Sequence, residues 1–328
     1  MNPVAFSDND WLDAAAALAA RGRPLSRPNP AVGALIVKDG RVIGRGWTCE
    51  GGRPHAEARA VAQTLALPGN AARGATVYVT LEPCAHESGR GPACADVLRH
   101  MGVARVVIGC EDPDPRTSGA GIAKLREAGI AAELLSSPAA TRSLEGYLAR
   151  ARLGRPHTTL KLATSLDGCI AMADGTSQWI TGPEARAHGH GMRARCDAIL
   201  VGGETLRTDA PRLDVRLPGL AVRSPARWVL TRGPVPEGWQ AIADPAEASF
   251  GDAQYLLIEG GAGAAAAFLA ADRVDRLLLY RAPILIGAGR RGLGDIGLGL
   301  LGDAHGRWCL TDQRRLGSDT LDVYDRIR

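Results

Sequence analysis

Apolar and polar positions alternate along this chain in two registers, and their order sketches an α/β protein. Ser7 and Asp10 form a capping box ahead of an Ala-rich helix that runs to about Ala20. Ala31 to Val37 and Arg41 to Gly46 read as the arms of a hairpin turned at Asp39-Gly40. A helical pattern follows from His55 to about Leu67, then a β-branched strand from Thr76 to Leu81. Pro92 suits the start of a helix over Ala93 to Met101. A strand at Val103 to Gly109, a helix at Ala120 to Ala128 and a strand at Ile130 to Leu135 complete the first half. The order αββαβαβαβ predicts a three-layer α/β domain over 1–146, a linker at 147–154 and a second domain over 155–328.

In the second half, strands are expected at Thr158 to Thr164, Ala198 to Val201, Arg227 to Leu230, Tyr255 to Glu259 and Arg276 to Ala282. Helices are expected at Glu184 to Arg195 and Ala264 to Ala271. The second of these helices follows Gly260-Gly261-Ala262-Gly263, a strand–glycine–helix arrangement that reads equally as a phosphate cradle or a tight turn.

Composition narrows the class. At 328 residues, 45% hydrophobic and 23% charged, the chain has room for two cores. A net charge of +4 and only 4% aromatic residues argue against a nucleic-acid groove and suit a phosphorylated small molecule. The start Met1 to Asp8 has neither a basic run nor an apolar one, so no signal peptide is expected. No stretch is apolar enough for a membrane helix. Seven Cys in a long chain suit a reducing cytoplasm, with Cys49, Cys110, Cys169, Cys196 and Cys309 as packing residues.

Two pieces carry chemistry: His55-Ala56-Glu57, and Pro83-Cys84 with Cys94. One His and two Cys give three zinc ligands and leave a fourth tetrahedral position for water. Glu57, two residues from His55, is placed to move protons without binding metal. This is the H-x-E…P-C…C arrangement of nucleobase deaminases. A closed structural zinc site, or thiols without metal, remains the alternative at this level.

The motifs resemble the bifunctional riboflavin-biosynthesis deaminase/reductase family. Pro28-Asn29-Pro30-Ala31-Val32-Gly33 looks like its substrate loop, and Pro54 to Ala58 and Thr80 to His86 match its deaminase motifs. Leu160 to Gly168, Ser177 to Gly182, Thr205 to Leu213, Glu259-Gly260-Gly261 and Ala282 to Gly287 resemble its reductase half. The resemblance implies a cytidine-deaminase-like α/β/α domain followed by a dihydrofolate-reductase-like α/β domain. It implies deamination of a diaminopyrimidinone ribosylamine phosphate, then NADPH-dependent reduction of the ribosyl group to ribityl.

Carried over by position, His55, Cys84 and Cys94 would hold Zn2+ and Glu57 would shuttle protons. Asn29, His86 and Arg90 would meet the deaminase substrate. Ser177, Arg193, Leu213, Arg216 and Glu259 would meet the reductase substrate. Ala163, Trp179, Thr205, Asp209 and the turn from Gly261 would contact NADPH. The resemblance further implies a homo-oligomer assembled through the reductase domain, with no nucleic-acid or membrane partner.

Four departures stand out. Thr48 occupies a position where several family members carry His, which questions one substrate contact. The Cys84-to-Cys94 interval is one residue longer than the family's, placing an insertion in Glu87 to Gly91. Cys169 replaces a basic residue, and the segment from Leu230 to Tyr255 is short, with a strand and helix expected to be missing. Those last two features leave open a deaminase whose second domain serves binding or oligomerisation. More distant alternatives are a nucleic-acid editing deaminase and a zinc-stabilised interaction module.

Overall fold

The computed structural model describes residues 6–86 and 89–328. Within them the chain forms two compact units, which divide between Arg155 and Pro156. The first five residues of the expected leaderless start, and Glu87 and Ser88 of the expected insertion, lie outside the described residues.

The first unit runs α1 (Asp8–Ala19), β1 (Gly33–Lys38), β2 (Arg41–Trp47), α2 (Ala56–Thr64), β3 (Thr76–Val79), α3 (Cys94–Met101), β4 (Arg105–Ile108), α4 (Ala120–Glu127), β5 (Ala131–Leu134), α5 (Pro138–Ser143) and α6 (Glu145–Leu153). Ser7 caps α1, and the reciprocal Asp10 bond is present, as the capping box requires. Asp39 and Gly40 both adopt positive φ, 50° and 70°, the conformation that lets two residues turn β1 into β2.

The sheet order is β2-β1-β3-β4-β5. β1 pairs antiparallel with β2 and β3, and β3, β4 and β5 are mutually parallel. Strand alternation then builds two cores. Ala34, Ile36, Val77, Val79, Val106 and Ile108 face one side with residues of α2, α3 and α4. Leu35, Val37, Tyr78 and Val107 face the other with Leu12 and Ala15 of α1. The approach of α1 is close enough that a Cβ on Gly33 would lie 1.9 Å from the Ala15 carbonyl oxygen, so only glycine fits.

The segment expected to be a linker, 147–154, is instead largely helix. α5 begins with Pro138 at its first turn and Ser137 as cap, and α6 buries Leu148 and Ala149 before ending at Gly154. Leu144 and Leu148 join the larger core, which holds this stretch to the first unit. Pro92 also sits outside its helix, because Ala93 is the N-cap of α3.

The second unit runs β6 (His157–Thr164), β7 (Cys169–Ala171), α7 (Pro183–Arg193), β8 (Ala198–Gly202), α8 (Gly203–Asp209), β9 (Ala226–Leu230), β10 (Trp239–Ile242), β11 (Tyr255–Ile258), α9 (Ala262–Ala270), β12 (Arg276–Arg281), β13 (Arg290–Arg291), β14 (Trp308–Leu316) and β15 (Asp319–Arg326). Eight strands form one sheet, β10-β9-β8-β11-β6-β12-β15-β14, paired in parallel from β10 to β12 and antiparallel on both sides of β15.

Between β9 and β11 the expected loss is only partial. β10 is present and pairs parallel with β9, but no helix lies between residues 231 and 254. Cys309 also departs from the packing reading, since it is exposed on β14. Among the described residues no helix is long and apolar enough to cross a membrane.

Candidate functional sites

In the first unit, one zinc-binding geometry is assembled from three element ends. His55 is the N-cap of α2 with extended backbone, which places it just before the helix rather than within its first turn. Cys94 opens α3, and Cys84 follows β3. His55 Nδ1 lies 3.2 Å from Cys94 Sγ and 3.7 Å from Cys84 Sγ. Zinc bonds of about 2.0 Å to nitrogen and 2.3 Å to sulfur place a tetrahedral nitrogen and sulfur about 3.5 Å apart and two sulfurs about 3.8 Å apart, so this trio fits the ion.

All three donor atoms lie within 4.8 Å of one another, and among the described residues no fourth His, Cys, Asp or Glu completes the group. The set is therefore three soft-to-borderline donors with one corner open, the pattern of a catalytic rather than a closed structural site.

Local electrostatics favour a thiolate. The Cys84 thiol is brought down to about 4, first by a hydrogen bond from Cys94, with His55 adding to it against the cost of burial. The Cys94 backbone N–H donates to Cys84 Sγ at 3.2 Å. Glu57 lies in the first turn of α2 and is buried; burial raises its carboxyl, with His55 pulling the other way.

Asn29 reaches this centre, with Nδ2 3.1 Å from His55 Nε2 and donating to the Gly52 carbonyl at 3.1 Å. Gly52 has φ +85°, and a Cβ there would lie 2.6 Å from Asn29 Cγ, so the close approach depends on glycine. Arg90 donates to the Gly51 carbonyl at 2.6 Å, bringing its loop to the same edge, while His86 contacts Thr117 Oγ1 at 3.3 Å. Thr48, noted as a departure from the His of several family members, is buried and accepts a bond from the Val32 N–H. It supports the Asn29 loop instead.

Sequence reasoning missed Glu82. Its buried carboxylate accepts the backbone N–H groups of Asp112, Gly119 and Ile122, tying the Cys84 strand end to the loop before α4. The signal was an acidic residue immediately before Pro83-Cys84. Glu82→Ala leaves those three donors without their acceptor, and the first unit is expected to lose about 2–4 kcal/mol in denaturant unfolding. Asp112, another missed residue, is buried, and burial raises its carboxyl although the Tyr147 hydroxyl donates to it at 2.6 Å.

In the second unit a cleft has two lobes. One, about 480 Å³, is lined by Ser177, Trp179, Arg193, Leu213, Arg216 and Glu259. The other, about 310 Å³, is lined by Thr205, Gly260, Gly261 and Gly263 at the start of α9. Lys161, Ala163, Ser177, Asp209 and Glu259 line both. Every residue expected in the reductase half thus borders the cleft, but Trp179 lies in the lobe of the substrate residues.

Glu259 forms the hub. Arg193 Nε and Nη2 donate to its two oxygens at 2.7 and 2.9 Å, and Nη1 donates to the Asp214 carbonyl. Lys161 Nζ lies 3.8 Å from Glu259 Oε2. Burial would raise the Glu259 carboxyl, but Arg193 and Lys161 outweigh it and hold the group below its ordinary value. With the Arg193 fork so engaged, Arg216 is the freer arginine, its side chain 53% exposed at the rim. Lys161 escaped sequence reasoning because its neighbours come from β11 and β12, far along the chain.

Comparison with known proteins gives a consistent result across both units. A family model for the cytidine and deoxycytidylate deaminase zinc-binding region matches residues 6–110. A model for the RibD C-terminal domain matches residues 156–245 and 246–320, interrupted within the short segment before β11.

The riboflavin biosynthesis protein RibD of Escherichia coli K12 is 37% identical over 96% of this chain and 98% of its own. That alignment spans 365 positions against a chain of 328, so the relative carries segments this chain lacks. RibD from Mycobacterium tuberculosis H37Rv is 38% identical over 90% of each chain. Among solved structures, Acinetobacter baumannii RibD superposes with a TM-score of 0.84 at 33% identity, covering 98% of this chain and 99% of that one. A diaminohydroxyphosphoribosylaminopyrimidine deaminase/5-amino-6-(5-phosphoribosylamino)uracil reductase from Thermotoga maritima reaches 0.85 at 29% identity, with the same coverage.

Proposed function

The chain belongs to the RibD family of riboflavin biosynthesis proteins, which makes it a deaminase and a reductase, and we propose how its residues divide the two steps. The first unit hydrolyses the amine of 2,5-diamino-6-ribosylamino-pyrimidin-4-one 5'-phosphate, exchanging the ring amino group for oxygen and releasing ammonia. The second reduces the ribosylamino group of that product to ribitylamino. The observation that carries the first assignment is the open three-donor cluster beside a buried Glu57.

His55, Cys84 and Cys94 would hold Zn2+, which when bound supplies Lewis acidity that lowers a coordinated water's pKa to about 7. Glu57 takes the proton from the attacking water and delivers protons to the ring nitrogen and the departing ammonia. Its buried carboxyl suits that work, because a raised pKa brings the two protonation states closer together at neutral pH. Asn29 orients the substrate beside His55, and His86 and Arg90 face its ribose-phosphate side.

In the second unit NADPH supplies the hydride when bound. Ala163, Thr205, Asp209 and the turn from Gly261 position it, with Trp179 reaching it only from the adjoining lobe of the substrate residues; the uncapped first turn of α9 offers N–H groups to its diphosphate. Ser177, Leu213 and Arg216 hold the phosphorylated sugar, and Arg193 keeps Glu259 ionised and oriented toward Lys161. The short segment before β11 leaves this binding surface in place, since every lining residue comes from elsewhere. That favours an active reductase over a purely scaffolding domain.

The enzyme works in the cytoplasm as a homo-oligomer joined through the reductase unit. The nine-residue strand β14 is the edge of its sheet, a place where a second copy can add a strand.

Metal removal tests the order of the steps. Chelated enzyme given the diamino substrate and NADPH is expected to consume no NADPH. The same enzyme given the deaminated intermediate consumes it normally. No NADPH consumption with the deaminated intermediate, whether or not zinc is restored, would overturn the reductase assignment.

A further inference from the structure

Two charged residues on facing walls of the lobe beside α9 have no part in the mechanism above. Arg290 lies in β13, whose pairing with β7 sets Arg290 opposite Ala171, and Glu204 lies in the first turn of α8. Both line the smaller lobe. We propose that they form an exchangeable charge latch, in which Arg290 gives up the Glu204 carboxylate to grip the diphosphate of the dinucleotide. The inference rests on the NADPH reading of this lobe and adds a residue that sets its affinity.

The existing pair is loose. Arg290 Nη1 lies 3.7 Å from Glu204 Oε1, with the side chains 52% and 81% exposed. An exposed contact of that length contributes little and is readily exchanged. A diphosphate offers more, because a guanidinium fork can donate two parallel bonds to phosphate oxygens.

Position supports the same partner. Past Arg290 the chain runs along the first turn of α9: a Cβ on Gly294 would lie 3.7 Å from the Ala262 carbonyl oxygen and 3.4 Å from Ala266 Cβ. Arg290 and the glycine turn before α9 line the same lobe, so an anion bound there meets a guanidinium as well as the positive end of the helix. On its other side the guanidinium sits over Gly175, whose added Cβ would lie 3.2 Å from Nη2. Asp174, held low first by the Thr176 N–H, also feels its charge. Carboxylates thus compete with the diphosphate for one guanidinium, and Glu204 is the one in contact.

Competition predicts effects of opposite sign, read as the equilibrium constant for NADPH by titrating cofactor fluorescence with the full chain. Arg290→Ala is expected to weaken binding about tenfold, and Arg290→Lys, which keeps the charge but loses the fork, by an intermediate factor. Glu204→Gln is expected to tighten binding about threefold, and to have no effect once Arg290 is alanine. Melting of each variant without cofactor checks the fold. Unchanged affinity in Arg290→Ala, or weaker binding in Glu204→Gln, overturns the latch. A wild-type chain that fails to bind NADPH would instead overturn the cofactor reading itself.

Discussion

Glu57→Gln is expected to lower ammonia release by about 10²–10⁴-fold while zinc content and thermal melting stay at wild-type values. The reason lies in what glutamine keeps and loses. It keeps the shape of a side chain buried in the first turn of α2, and in that setting a neutral amide carries no desolvation cost that the carboxyl avoided. It loses the capacity to carry a proton from water to the ring nitrogen. Because Glu57 is not one of the three clustered donors, metal retention separates proton transfer from zinc binding. Ammonia release measured beside zinc analysis checks this. Undiminished release would remove Glu57 from the chemistry, and loss of zinc would make it a ligand.

Glu259→Gln has the second largest expected effect, and it falls on the other reaction. The substitution leaves the Arg193 guanidinium, whose side chain is 14% exposed, without its carboxylate. Breaking such a pair from one side costs about 3–5 kcal/mol, so the second unit should unfold at distinctly lower denaturant. Reduction is expected to fall about 100-fold in kcat/KM, since Arg193 and Lys161 lose their common partner at the junction of the two lobes. Deamination should be spared.

The pH dependence has a definite sign. The folded Glu259 carboxyl sits below its ordinary value of 4.5, so its contribution is present above that value and is lost as pH falls through the depressed one. The stability gap between wild type and Glu259→Gln should therefore narrow below about pH 4.5. A gap that widens with acid would contradict the ion pair.

Local chemistry was legible in the sequence wherever the deciding neighbours were local. Ser7 with Asp10, and Asp39 with Gly40, each settle a boundary within four residues, and the structure places α1 and the β1–β2 turn there. The deaminase triad was legible for another reason: metal-binding residue types are few, and their order with Glu57 is distinctive. Glu82 and Lys161 were not legible. An acidic residue after a strand and a lysine within one look like solvated positions until Asp112, Gly119 and Ile122, or Glu259 and Tyr280, are brought beside them.

The helices over 138–153 were hidden because arginines interrupt their apolar stripe, and a Gly-Arg-Pro sequence beyond them resembles a linker. β14 and β15 carry so many charged residues that only their pairing, with Leu321 and Asp322 buried against β12, reveals them as strands.

The masses of products formed by the zinc-loaded chain from the diaminopyrimidinone ribosylamine phosphate test the two-site assignment most directly. Without NADPH, one product is expected, with an amino group replaced by oxygen and an equivalent of ammonia in solution. With NADPH, that product should gain two further hydrogens as the sugar opens to ribityl. Substrate returned unchanged, or a deaminated product that never takes up hydrogen while NADPH is present, would contradict the assignment of two active units.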